Sequence, residues 1–367
     1  MMKLTRCTRF LLPLAILALN AQAQTVPAWK LELAHAIRPP EGSPGIIGNV
    51  IGIVVTDDGV VSVAEQTPAR VTRYDSKGNF VGIVIREGSG PKEARHPGIA
   101  LQGDTLVVYD GMAMRLTRIA PDNRLLSERP LDLNAIGFPI WTTARGDIIL
   151  NDPGSGPGYN DGALRVAPTG KVDTIRWFRS NEDDRFMQWR SPGWVIKGAP
   201  FSPYGIAAFD PAGRLVIGGT RRSRWFVLSG RDTTQTVALP DHEVIIPTAI
   251  RDSVWRAWRA RIPATLTNVD NVVKKDLIPT TLPPWVTFDI NPRGEWWIGR
   301  PAANGALGSW DIVENGRVVG HVSVPRRILE IRGGSGRAFG RNFVALVHED
   351  ENDVPWIGVY RIVRTQR

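Results

Sequence analysis

The sequence contains a single cysteine in 367 residues, Cys7, and it stands near the very start. Without a cysteine pair no disulfide can hold the fold, so stability has to come from a large buried core. Long apolar runs are missing too. The best, residues 10–19, is ten residues long, where a membrane-spanning helix needs about 20. Signatures of common catalytic sites are equally scarce. His35, His96, His242, His321 and His348 show no metal-binding helical spacing, and no serine sits in a G-x-S-x-G elbow. Gly88-Ser-Gly90 and Gly333-Gly-Ser-Gly336 lack the Lys-Ser/Thr that completes a phosphate loop. Disorder is excluded by composition, with 43% hydrophobic and 22% charged residues.

The beginning of the chain reads as a leader. Lys3, Arg6 and Arg9 precede the apolar run, and Ala21-Gln22-Ala23 has the small-x-small form cut by signal peptidase. Residues 1–23 are expected to be a signal peptide and residues 24–367 one exported domain, periplasmic or extracellular. Removing the leader lowers the net charge from +9 to +6. Arginine supplies 37 of the 45 basic residues, scattered among acids, which reads as a solvated surface. No basic stripe of the kind a nucleic acid requires is present.

One pattern recurs: a β-type run, a polar turn with glycine, and a second β-type run. It occurs at 51–63, 99–108, 140–150, 206–217 and 286–298, with a degraded copy at 328–346. The turn glycines are Gly59, Gly103, Gly146, Gly213, Gly294 and Gly340. Tight hairpins need a residue of positive φ, and glycine supplies it without steric cost. A second hairpin follows each copy, so each unit holds four strands in a meander. Six such units predict an all-β fold, a six-bladed β-propeller of four-stranded antiparallel blades. The last unit lacks its outer strand, and residues 29–37 are available to supply it. The fold is therefore expected to close by the N-terminal strand completing the last blade.

The run Val71-Thr-Arg-Tyr-Asp-Ser-Lys-Gly78, followed by Arg86-Glu-Gly-Ser-Gly-Pro-Lys-Glu93, resembles an NHL-type blade. The stretches 282–298 and 354–363 are similar to exported bacterial six-bladed propellers. That resemblance implies a scaffold used by binding modules, signalling ectodomains and a few enzymes, so it does not fix a function.

With strands lettered a to d outward from the channel, the a–b and c–d turns share one face and are short. The long connections, 86–97, 151–162, 180–202, 241–284 and 348–355, lie on the other face. Binding sites concentrate on such loops. Two insertions stand out, at about 181–203 and 241–283. The second predicts a helix from Thr248 to Pro263, with Ile250, Val254, Trp258 and Ile262 at every fourth position. Both insertions are expected to pack as a lid over the channel.

Hydrolytic six-bladed propellers of the gluconolactonase and paraoxonase types carry a divalent metal in the channel. The starts of the innermost strands here read Asn49, His96, Phe138, Tyr204, Trp285 and Arg327, with no carboxylate. That set is poor for calcium and suits an aromatic-stacked ligand with polar anchors. Trp194 and Trp258 of the insertions are expected to close over it. The reading is an exported monomeric binding module for a partner protein or small ligand, with no cofactor, no metal and no catalytic residue. The alternative is a metal-dependent, lactonase-like hydrolase or lyase.

Overall fold

The structure is a computed structural model that describes residues 26–131, 140–152, 161–178, 189–191, 194–196, 199–202, 205–230, 232–262, 274–326, 328–329 and 336–365. After β1 (Lys30–Ile37), blade 1 is β2 (Val50–Val55), β3 (Val61–Gln66), β4 (Ala69–Tyr74) and β5 (Phe80–Glu87), edged by the short parallel β6 (Glu93–Ala94). Blade 2 is β7 (Pro97–Gln102), β8 (Thr105–Asp110), β9 (Arg115–Ile119) and β10 (Leu125–Pro130). Blade 3 is β11 (Ile140–Thr142), β12 (Ile148–Asp152), β13 (Asp161–Val166) and β14 (Val172–Phe178). A small hairpin follows, β15 (Trp189–Ser191) with β16 (Trp194–Ile196).

Blade 4 is β17 (Gly205–Phe209), β18 (Leu215–Gly219), β19 (Arg224–Ser229) and β20 (Asp232–Ala238). In the second insertion β21 (Val244–Ile245) pairs with β22 (Thr281–Leu282) around α1 (Thr248–Ala260). Blade 5 is β23 (Thr287–Ile290), β24 (Trp296–Pro301), β25 (Leu307–Glu314) and β26 (Arg317–Ser323). Blade 6 is β27 (Arg337–Phe339), β28 (Phe343–Glu349) and β29 (Pro355–Val363), completed on its outside by β1.

Closure follows the expected route. β1 runs antiparallel to β29, from Lys30 opposite Val363 to Ile37 opposite Ile357, with a bulge between Leu33 and His35. The segment just before β1 also binds blade 5, since Trp29 N–H donates to the His321 carbonyl at 2.8 Å. Trp29 itself is buried between blades 5 and 6. One end of the chain thus ties two blades together.

The core is six apolar wedges, one between each pair of neighbouring blades. Four of them are mainly aliphatic. The two flanking blade 5 are aromatic, with Trp297 and Trp310 against blade 6 and Trp225 and Trp285 against blade 4. Strand alternation sends successive side chains to the two faces of each blade, which is why each blade feeds two wedges.

Four of the hairpin turns share one device, and the turn at Gly103, with φ of 57°, is of another kind. Gly59, Gly146, Gly213 and Gly294 have φ of 80° to 90°. Each donates its N–H to the residue three back: Thr56, Thr143, Asp210 or Asn291. The side-chain oxygen of that residue accepts from the N–H one position beyond the glycine, at 2.7 to 3.2 Å. The degraded sixth copy departs from this, for Gly340 does not adopt a left-handed φ. Its inner strand is also later and shorter than expected. β27 starts at Arg337, ten residues beyond Arg327.

The arginines are not merely a solvated surface. Arg73 of blade 1 is buried and donates to Ala120 O, Pro121 O and Asn123 Oδ1 in a turn of blade 2, at 3.0, 2.7 and 2.7 Å. Arg129 of blade 2 reaches the carbonyls of Pro168 and Ala167 in blade 3. Arg293 of blade 5 reaches Arg341 O and Asn342 in blade 6, and Arg341 pairs with Asp57 of blade 1 at 3.3 Å. A guanidinium carries five donors in a rigid fork, enough to satisfy several turn carbonyls of the next blade at once.

Candidate functional site

The inner strands β2, β7, β11, β17, β23 and β27 surround a central cavity of about 430 Å³. Its walls are apolar, formed among others by Ile53, Ile99, Trp141, Phe209, Ile290 and Phe339. Trp141 and Phe209 lie against one another with ring centroids 5.6 Å apart. The polar lining gathers toward the a–b turns, where Asp57, Gln102, Asp104, Asn291 and Arg341 stand. The described cavity therefore reaches the face of short turns.

Among the described residues two ion pairs line the cavity, Arg341–Asp57 at the turns and Arg337–Asp289 between the inner strands. Arg337 Nε donates to Asp289 Oδ2 at 2.7 Å, joining the inner strand of blade 5 to that of blade 6. Both side chains are about one-fifth exposed. The pair combines charge with a mostly apolar wall, a setting in which polar contacts are stronger than in water. Sequence reasoning looked for carboxylates at the beginnings of the inner strands. Asp289 lies within its strand, and Asp57 and Asp104 lie beyond theirs. The signal that could have found Asp289 is its place in Thr287-Phe288-Asp289-Ile290, a charge inside an otherwise apolar inner strand.

At the opposite mouth, buried polar residues near the ends of second strands fix the incoming chain. Glu65 accepts the Gly48 N–H at 2.7 Å and pairs with Arg70 at 2.7 Å. Asp110 accepts the N–H groups of Arg95 and His96 at 2.9 and 3.2 Å. Arg300 donates to the Pro284 carbonyl at 2.7 Å and to Asp311 at 2.8 Å. These clamps place Asn49, His96 and Trp285 ahead of their inner strands.

Their exposures differ. Asn49 is exposed and His96 partly buried; burial holds the His96 imidazole below its usual 6.5, against the opposing pull of Asp110. Trp285 is fully buried. Its ring lies 5.1 Å from Trp225, and its Nε1–H donates to Arg222 O at 3.0 Å. It is a wall between blades 4 and 5 and offers no surface to a ligand in this arrangement. Trp285 stands just ahead of β23 and packs into the wedge with Trp225, Phe288 and Ile298.

Phe138, Tyr204 and Arg327 lie outside the described residues, as does the whole of 1–25. Trp194 belongs to β16. Trp258 is partly buried on α1, whose extent, Thr248–Ala260, matches the helix read from the sequence. No residue of α1 is fully buried. None of Asn49, His96, Trp285 or Trp258 lines the described cavity.

The channel carboxylates do not make a metal cradle. Asp289 is held by Arg337 and Asp57 by Arg341. Among the described residues no three His, Cys, Asp or Glu side chains converge on a point. The acidic run 349–353 is a turn in which Asp350 Oδ1 accepts from Asn352 and Val354 N–H. Among the described residues no helix is long and apolar enough to cross a membrane.

No protein-family model matches the chain, and no curated protein matches it by sequence. Solved structures do match in shape. A putative exported protein of Bacteroides fragilis superposes with a TM-score of 0.51 at 9% identity, covering 95% of this chain and 98% of that one. The PQQ-bound aldose sugar dehydrogenase of Streptomyces coelicolor gives 0.45 at 14%, covering 92% and 99%. The gluconolactonase of Xanthomonas campestris gives 0.44 at 11%, covering 92% and 99%. At these identities the likeness is one of fold. The chain is a six-bladed β-propeller.

Proposed function

We propose that the protein is an exported binding module that takes a compact ligand in its central channel. The observation that carries this is the cavity itself. Its volume of about 430 Å³ lies within the range of small-molecule sites, and an apolar wall with a few convergent polar groups is their usual lining. The ligand is a molecule with an apolar body, laid against Trp141 and Phe339, and a hydrogen-bonding end near Asp289 and Arg337. Export rests on the leader read in residues 1–23.

A metal-dependent hydrolase or lyase is not favoured. The channel carboxylates Asp57 and Asp289 have arginine partners, and a hard cation would have to displace both. A partner protein on the opposite face is supported by a separate observation. Met112, Ile245 and Val354, all in connections on that face, are 58%, 72% and 46% exposed. There Asn49, His96, Trp194 and Trp258, with Phe138, Tyr204 and Arg327, are the residues put forward for contact.

The test is a thermal-shift screen of aromatic carboxylic acids, cyclic alcohols and sugar lactones on the mature protein, followed by calorimetry on any hit. Asp289→Asn and Arg337→Gln should weaken that hit by about tenfold, the size of one charge-assisted hydrogen bond, while His96→Ala leaves it unchanged. Loss of affinity in His96→Ala alone would move the site to the other mouth.

A further inference from the structure

Trp356 stands near the start of β29, on the face of long connections, and it is buried. His348, opposite it in β28, stacks with ring centroids 4.5 Å apart at an interplanar angle of 32°. Arg38, the first residue after β1, holds its guanidinium carbon 4.0 Å from the centre of the same ring. Arg326, in the connection from blade 5 to blade 6, brings a second guanidinium carbon to 5.8 Å from this ring.

Both arginines are exposed. Among the described residues neither has an ion pair or a hydrogen bond, unlike the stapling arginines of the short-turn face. Among the described residues none of the acids of the nearby turn, Glu349, Asp350, Glu351 and Asp353, forms an ion pair with either arginine. The Tyr360 hydroxyl, 3.0 Å from His348 Nε2, feels both cations, which draw its ionisation down against the upward push of burial. Two positive charges thus stand 4.0 and 5.8 Å from the centre of one indole ring of blade 6.

Stacking on an indole fixes the plane of a guanidinium and leaves its N–H edge free to donate. Fixing the plane in advance lowers the entropy lost when a ligand is bound. Two such cations without an acid repel one another, and an anion between them removes the repulsion. A carboxylate is satisfied by one fork, whereas a phosphate offers three terminal oxygens and can accept from two.

We propose that Arg38 and Arg326 form an anion site on the long-connection face that takes the phosphate group of a ligand. It is independent of the channel and needs no change in the fold.

The test uses the mature protein with sodium phosphate as probe, at ionic strength held constant with sodium chloride. Phosphate should raise the melting temperature saturably and broaden its own ³¹P resonance, while sodium acetate at equal ionic strength does neither. Arg38→Gln and Arg326→Gln should each raise the half-saturating concentration by about tenfold, with unchanged melting temperature in chloride alone. Because both side chains are exposed, one variant remains informative if the other folds poorly. Glycerol 3-phosphate binding more tightly than inorganic phosphate identifies a larger phosphorylated ligand; equal affinity identifies free phosphate. A phosphate response no larger than that of acetate overturns the site, and so does an undiminished response in the double variant.

Discussion

Ile37 and Ile357 face each other across the β1–β29 pair, although they stand 320 residues apart. Both are buried in the wedge between blades 6 and 1, along with Tyr74 and Val63. A contact near each end of the chain therefore closes the ring.

Deleting residues 24–37 removes that contact, uncovers the Trp29 pocket and leaves β29 as an open edge. The trimmed protein is expected to aggregate or to lose its single cooperative transition. A melting curve matching the full mature chain would show that closure does not depend on β1.

Arg73 is 4% exposed and serves three acceptors in blade 2. Arg73→Ala leaves the acceptors without this donor and is expected to cost about 2–3 kcal/mol. Arg73→Lys keeps the charge but loses the Nε–H contact to Ser62 Oγ and the planar geometry at Nη1, so it should recover only part. Urea denaturation with an unchanged m-value measures both; a loss in Arg73→Ala below the fitting error refutes the staple.

Trp285 separates packing from binding. Trp285→Ala should cost about 3–5 kcal/mol through the void left beside Trp225. Trp141→Ala, at the partly open channel wall, should cost less stability and more ligand affinity. The reverse ranking in paired melting and calorimetry experiments would mean that Trp285 is the ligand surface.

His35 provides a pH dependence. Burial holds its imidazole below the usual 6.5, opposed by Asp75, and its buried Nε2 has no partner. The unfolded chain then binds a proton that the folded chain resists. Stability should be full above pH 6.5 and fall as pH drops below it, through the lowered folded value. His96, lowered for the same reason, adds to the effect. In denaturant melts between pH 7.5 and 5, His35→Phe should flatten part of this slope. An equal slope in that variant would assign the loss to other groups.

The propeller was legible from local physics. Hairpin glycines with positive φ, polar residues that start their turns, and β-type runs between them are decided within a dozen residues. Counting such units gave six blades, and counting strands gave the closure. The start of α1 was legible for the same reason, since Pro247-Thr248 and a four-residue apolar spacing act within one helix. The sixth inner strand was the local failure, because its glycine run dilutes the pattern that marks the others.

Tertiary structure alone decided what lines the channel. Asp289 and Arg337 are 48 residues apart and meet only because their strands are neighbours around the ring. Trp285 looks in sequence like any aromatic near the head of an inner strand, yet wedge packing turns it inward against Trp225. Arg73, Arg129 and Arg293 carry no sequence mark that separates them from Arg38 and Arg326. Local sequence sets the strands and turns, because their bonds are short-range. Which arginine staples the next blade and which stays open to an anion depends on where that blade's carbonyls fall, and only the closed ring fixes those positions.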